Sequence, residues 1–166
     1  MVRANKNKVL ASYLVLALGA FGYLNRDINI FGKVEGDSRI SKITRSAERA
    51  LEKSVTNTYS TDPDGAKQKV NLIASYMDEI RKDINVCEDR VITAIRLEGQ
   101  GNYDESIMNL RWALTRLQLA ERNLKQSATD GAASKEFVEI MVEIISDLEE
   151  DVSVTLARVQ QKQASE

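Results

Sequence analysis

Residues 65–98 read GAKQKVNLIASYMDEIRKDINVCEDRVITAIRLE. Within this stretch Val70, Ile73, Met77, Ile80, Ile84, Cys87, Val91 and Ala94 recur at spacings of three and four. That alternation keeps one apolar stripe on one side of a helix, and four heptads of it specify a coiled-coil-like seam. The spacing predicts a helix roughly 50 Å long. Gly99-Gln100-Gly101-Asn102 ends it. A seam this long also invites self-association through the same geometry.

The flanking sequence repeats the pattern. Upstream, a helix is expected from a cap at Asp37 or Ser38 to about Thr58, with the stripe Ile40, Ile43, Ala47, Ala50, Leu51 and Val55. Its other face carries Arg39, Lys42, Arg45, Arg49 and Lys53. Asp62-Pro63 reads as the cap and first position of the long helix. Downstream, a helix over about 103–127 carries Ile107, Leu110, Leu114, Leu117 and Leu124, interrupted by Glu121. A second stripe, Met108, Trp112, Thr115 and Leu119, lies on another face of it. A helix apolar on two faces is either central in its bundle or touches a partner. After the turn at Thr129-Asp130-Gly131, a helix over about 133–162 carries Phe137, Ile140, Met141, Ile144, Ile145, Leu148, Val152 and Val159. Short connections make successive helices antiparallel neighbours. The expected fold is all-α: an elongated antiparallel bundle of about four helices over 37–166, after a linker at 25–36 and an N-terminal segment at 1–24.

Composition agrees and narrows the function. The 166 residues are 43% apolar and 29% charged, with one Pro and eight Gly, so breakers of long helices are few. There is no His, which removes His-based acid–base chemistry, His metal ligation and His-activated nucleophiles. A single Cys, Cys87, allows no intrachain disulfide and no Cys-cluster zinc site. No paired carboxylates can be assigned to a pocket. The sequence therefore points to no catalytic residue, no cofactor and no metal. The net charge is −2, which leaves no basic footprint for nucleic acid. Residues 132–166 hold eight acids, Glu149-Glu150-Asp151 among them, against Lys135, Arg158 and Lys162, and read as a solvated face. Arg45, Arg49 and Lys53 of another copy are its alternative partners. Asp62-x-Asp64-Gly65 is similar to the start of a calcium loop, but the later ligands are missing, so a helix cap is the reading.

Val9 to Leu24 reads VLASYLVLALGAFGYL, sixteen residues without a charge. Val9, Leu14, Leu16, Leu18, Phe21 and Leu24 are its large apolar members. Arg3, Lys6 and Lys8 precede it. As a helix the run is about 24 Å long, short of the ~30 Å hydrocarbon core. Snorkelling by Lys8 and Arg26 closes the difference. The basic flank predicts a cytoplasmic N-terminus, with residues 25–166 periplasmic or in the corresponding mitochondrial inner-membrane space. The competing reading is a signal peptide cleaved near Ala17-Leu18-Gly19. Both readings take the folded part out of the cytoplasm; the third is a hydrophobic helix buried in a soluble fold, against which the flanking charge asymmetry argues. The linker that follows holds a small apolar patch, Ile28, Ile30 and Phe31.

Gly101-Asn102-Tyr103-Asp104-Glu105-Ser106-Ile107, followed by Leu110 and Ala113-Leu114, resembles the turn and second helix of a tetratricopeptide repeat. Ala94 stands where the first helix of such a repeat has a small residue. The resemblance covers about residues 90–117 once, with Arg90 where the repeat has a large apolar residue. It implies one repeat-like hairpin inside a bundle, in a family whose members bind proteins. The hairpin is also similar to the three-helix modules of microtubule-interacting and trafficking domains, whose cytosolic role sits against the export signal.

Trp112 is the residue singled out for a partner, with Met108, Thr115 and Leu119 beside it. Packing on the first or fourth helix of its own chain is the alternative. Cys87 reads as a small buried hydrophobe. The leading expectation is a single-pass membrane protein, an accessory or scaffold subunit that acts by contact with protein partners and with lipid through its N-terminal helix. The alternatives are a soluble exported adaptor or chaperone, and an extracytoplasmic sensor bundle. A retained anchor predicts a full-chain mass of 18.6 kDa for protein extracted from its native membrane. A chain short of its first ~20 residues marks the exported form instead.

Overall fold

The computed structural model describes the backbone of residues 36–165 and side chains from Ser46 onward, apart from Glu48. Four α-helices make up this region: α1 Gly36–Thr61, α2 Pro63–Gly99, α3 Tyr103–Thr129 and α4 Lys135–Gln163. There is no strand among the described residues. The anchor residues Val9, Leu14, Leu16, Leu18, Phe21 and Leu24 lie outside the described residues, as do the linker patch and the side chains of Ile40 and Ile43. No described helix is long and apolar enough to cross a membrane.

The helix ends follow local chemistry. Asp62 caps α2, its carboxylate accepting from the Gly65 N–H at 2.9 Å, and Pro63 occupies the first turn, where no N–H is needed. Ser134 caps α4 in the same way through the Phe137 N–H. The two later turns are Schellman motifs. Gly101 takes φ 75°, and the N–H groups of Gly101 and Asn102 return to the carbonyls of Glu98 and Leu97. Gly131 takes φ 71°, with Gly131 and Ala132 returning to Ala128 and Ser127. The described part of α1 already includes Asp37 and Ser38, so neither stands ahead of the helix as the expected cap.

The helices pack as a ring. α2 contacts α3, α3 contacts α4, and α4 and α1 close the circle, with α1 also on α2. All neighbours run antiparallel. Lys69 reaches Thr58 across α1–α2, Asp83 and Arg90 reach Arg116 and Asn109 across α2–α3, and Lys53 meets Glu136 across α1–α4. The eight seam residues of α2 are all buried in this one core. The seam is therefore packed inside the chain's own core.

α2 and α3 share the most extensive contact. Small residues meet near the elbow: Ala94 and Ser106 are fully buried, and the Ser106 hydroxyl donates to the Ala94 carbonyl at 2.8 Å. In the repeat-like pattern Ser106 replaces a small apolar residue, and here its polar atom is satisfied by the neighbouring helix. The described part of α1 has 26 residues and α2 has 37. Counting 1.5 Å per residue back from the Thr58–Lys69 contact brings Gly36 level with about residue 91. Ile92 and Ile95 lie beyond that level and are exposed.

The close approach at Ala94 sets a steric test. Ala94→Leu is expected to destabilise the bundle by about 1–3 kcal/mol through overpacking. The check is a lower urea midpoint at unchanged m-value, with Met77→Leu as a volume-conserving control that shifts it less.

Candidate functional site

α3 buries Ser106, Ile107, Leu110, Ala113, Leu117, Ala120, Leu124 and Ser127. At 100° per residue, Met108, Trp112, Thr115 and Leu119 fall within about 40° of the point opposite Leu110. Their exposure agrees: Met108 is 57% and Trp112 52% exposed, Thr115 is exposed, and Leu119 is partly so. Trp112 is thus half exposed rather than buried in the core. The four residues form one stripe along the outer face of α3.

The indole is held from one side. The Arg90 guanidinium on α2 lies over the Trp112 ring, 5.6 Å from its centroid. Arg90 also donates from Nη1 to Asn109 Oδ1 at 3.0 Å, and Asn109 donates to the Glu105 carbonyl. A cation–π contact at such an exposed site is worth about 0.5–1 kcal/mol and fixes the ring more than it stabilises the fold. One turn further, Arg116 pairs with Asp83 at 3.2 Å. Arg111 and Arg122 stand exposed beside the stripe. No acidic residue occurs between Glu105 and Glu121, so this face is apolar and cationic. In the sequence Arg90 registered only as a departure from the repeat pattern. Its role depends on the α2–α3 register, which no local signal prints.

A second polar constellation sits at the elbow end. The Glu98 carboxylate is 7% exposed and takes Arg158 Nη2 on one oxygen and Lys162 Nζ on the other, both at 2.8 Å. Gln163 donates to Asp104 beside it. Tyr103, Arg158, Gln161, Lys162 and Ser165 line a shallow depression of about 440 Å³. Both cations that border it are engaged by Glu98. Burial pushes the Glu98 carboxyl upward, but hydrogen bonding and attraction from Lys162 and Arg158 outweigh that and leave it below the ordinary glutamate value.

Glu149, between α3 and α4, is the opposite case. Its Oε1 is buried without a hydrogen-bond partner. Burial and then repulsion by Glu121 raise its pKa, against attraction from Lys125, which itself bonds Glu121 at 2.6 Å. Cys87 is buried, and burial followed by Glu88 pushes its thiol up to about 12, so it stays protonated at neutral pH. Among the described residues no group of His, Cys, Asp and Glu could hold a metal ion.

Compared with known proteins, the chain matches no family model, no curated protein and no solved structure.

The two glutamates predict opposite pH behaviour. The depressed Glu98 contributes stability above about pH 4.3, its unfolded value, and loses it as pH falls through its lower folded value. The raised Glu149 costs stability above its folded value, and the cost disappears as pH falls toward the unfolded value. At pH 7, Glu98→Gln is expected to lower thermal stability by about 1–2 kcal/mol and Glu149→Gln to raise it by about 1 kcal/mol. Calorimetry at pH 7 and pH 4 checks the signs and the narrowing of both differences in acid.

Proposed function

We propose that the chain is a non-catalytic accessory or scaffold subunit of a membrane-associated protein assembly. The outer face of α3 is its contact surface. The observation that carries this reading is the stripe of Met108, Trp112, Thr115 and Leu119 on the side of α3 opposite its buried face. Large apolar side chains left in water along one helix face, with a tryptophan and arginines among them, are the usual make-up of a protein interface core. Arg90 supports this by holding the indole in one orientation, which reduces the ordering cost on binding.

Location is the second part of the proposal. The uncharged run Val9–Leu24 behind Arg3, Lys6 and Lys8 supports a single-pass reading, with the N-terminus in the cytoplasm and the bundle on the far side. The anchor supplies position and lipid contact, and the bundle presents α3 to its partner.

Trp112→Ala is the direct test, because an exposed side chain can be removed with little effect on the fold. Endogenous-level protein is extracted in mild detergent and run on a native and then a denaturing gel. The unaltered chain is expected within a larger assembly, and Trp112→Ala is expected to bind about 30-fold more weakly and shift to a small species. Identical migration of the two proteins within a large assembly would reject the α3 face. Migration of the unaltered chain as a small free species would reject the subunit reading.

A further inference from the structure

The outer face of α4 is the electrostatic complement of the outer face of α3. Glu139 and Glu150 are exposed there, eleven positions apart, and Val154 at the same side is 63% exposed. On α3, Arg111 and Arg122 are likewise exposed and eleven positions apart. Eleven residues are close to three full turns, about 16.5 Å, so each pair keeps to one line along its helix. None of these four charged residues has an ion-pair partner among the described residues.

We infer that the α3 face receives α4 of a second copy of the chain. Laid antiparallel, Arg111 falls opposite the partner's Glu150 and Arg122 opposite the partner's Glu139. That same register brings Met108 against the partner's Val154 and Thr115 against the partner's Ser146. Trp112 then covers the turn between the partner's Ser146 and Glu150. One register thus satisfies two charge pairs and one apolar pair. The inference rests on the reading of the α3 stripe as a contact surface and names its occupant.

The chain cannot make this contact with itself, because the outer faces of α3 and α4 point away from the interface between those helices. The contact is heterologous: each copy offers α3 on one side and α4 on another. It also keeps every copy the same way up. α4 runs antiparallel to α3 within a chain, so a partner whose α4 is antiparallel to this α3 has its own α3 parallel to it. Copies held in one membrane by their N-terminal segments must share that orientation. Within the chain, Asp104 meets Gln163, whereas the proposed register sets residue 104 against about residue 157 of the partner. The two copies are therefore staggered by roughly 9 Å. The eleven residues 25–35 reach at most about 36 Å and accommodate that offset for a few copies. The ion pairs are exposed, so most of the affinity falls to Trp112, Met108 and Val154, and membrane confinement supplies the effective concentration.

The test uses full-length chains in the membrane, with Cys87→Ser to remove the native thiol. Two differently tagged chains are co-expressed, one carrying Met108→Cys and the other Val154→Cys. A mild oxidant is expected to give a mixed-tag disulfide dimer. The control pair, Met108→Cys with Glu139→Cys, lies about 22 Å out of register and is expected to give at least tenfold less. Adding Arg111→Glu to the first chain is expected to reduce the dimer, and adding Glu150→Arg to the second to restore it. Equal yields from the matched and control pairs, or no mixed dimer, would overturn the inference. If the mixed dimer is absent while Trp112→Ala still releases the chain from its native assembly, the α3 face binds a different protein and the second copy is ruled out. If neither effect is seen, the contact-surface reading fails with it.

Discussion

The close contact of α2 with α3 is the constraint on which the rest of the molecule depends. Ala94 and Ser106 bring the two backbones together near the elbow, and the Ser106 hydroxyl is satisfied on the Ala94 carbonyl. That approach fixes the register along the whole hairpin. Register in turn decides that Arg90 meets Asn109 and lies over Trp112, and that Asp83 meets Arg116. With the inner face of α3 filled by α2 and the core, the opposite stripe has nowhere to go except solvent. The exposed tryptophan is thus a consequence of how completely the other side of its helix is used.

Two glutamates show how the same side chain acquires opposite roles. Glu98 is nearly buried yet accepts from two cations whose own ends reach water, so its charge is favoured and it ties the end of α4 to the end of α2. Glu149 enters the α3–α4 interface with one oxygen unpartnered, while the nearby Lys125 is committed to Glu121. One site stabilises the fold at neutral pH and the other opposes it. The depression beside Glu98 is shallow, and its cations are already engaged.

Charge is also segregated across the bundle. The outer face of α3 has arginines around apolar side chains, and the outer face of α4 is acidic with Val154 near its end. Placed on adjacent helices of a closed ring, these faces do not neutralise one another within the chain. That separation is what gives the proposed contact between copies its direction.

By itself the sequence determined the helical class and, among the described residues, the four helices and their ends to within a few residues. These are local properties: the three–four spacing of Val70 to Ala94, the Asp62-Pro63 start of α2, and glycines at 101 and 131 that alone accept the positive φ of the turns. It also singled out Met108, Trp112, Thr115 and Leu119 as a second stripe, because angular position on one helix needs no partner to be read. Only the tertiary structure decided which flank of each helix meets which neighbour. A periodic stripe says that a face is buried without saying against what, and the decisive contacts link residues far apart in the chain, such as Glu98 with Lys162. For that reason the burial of the long seam inside one chain, the Arg90–Trp112 stack, the Glu98 clamp and the orphaned oxygen of Glu149 emerged only when the helices were packed together.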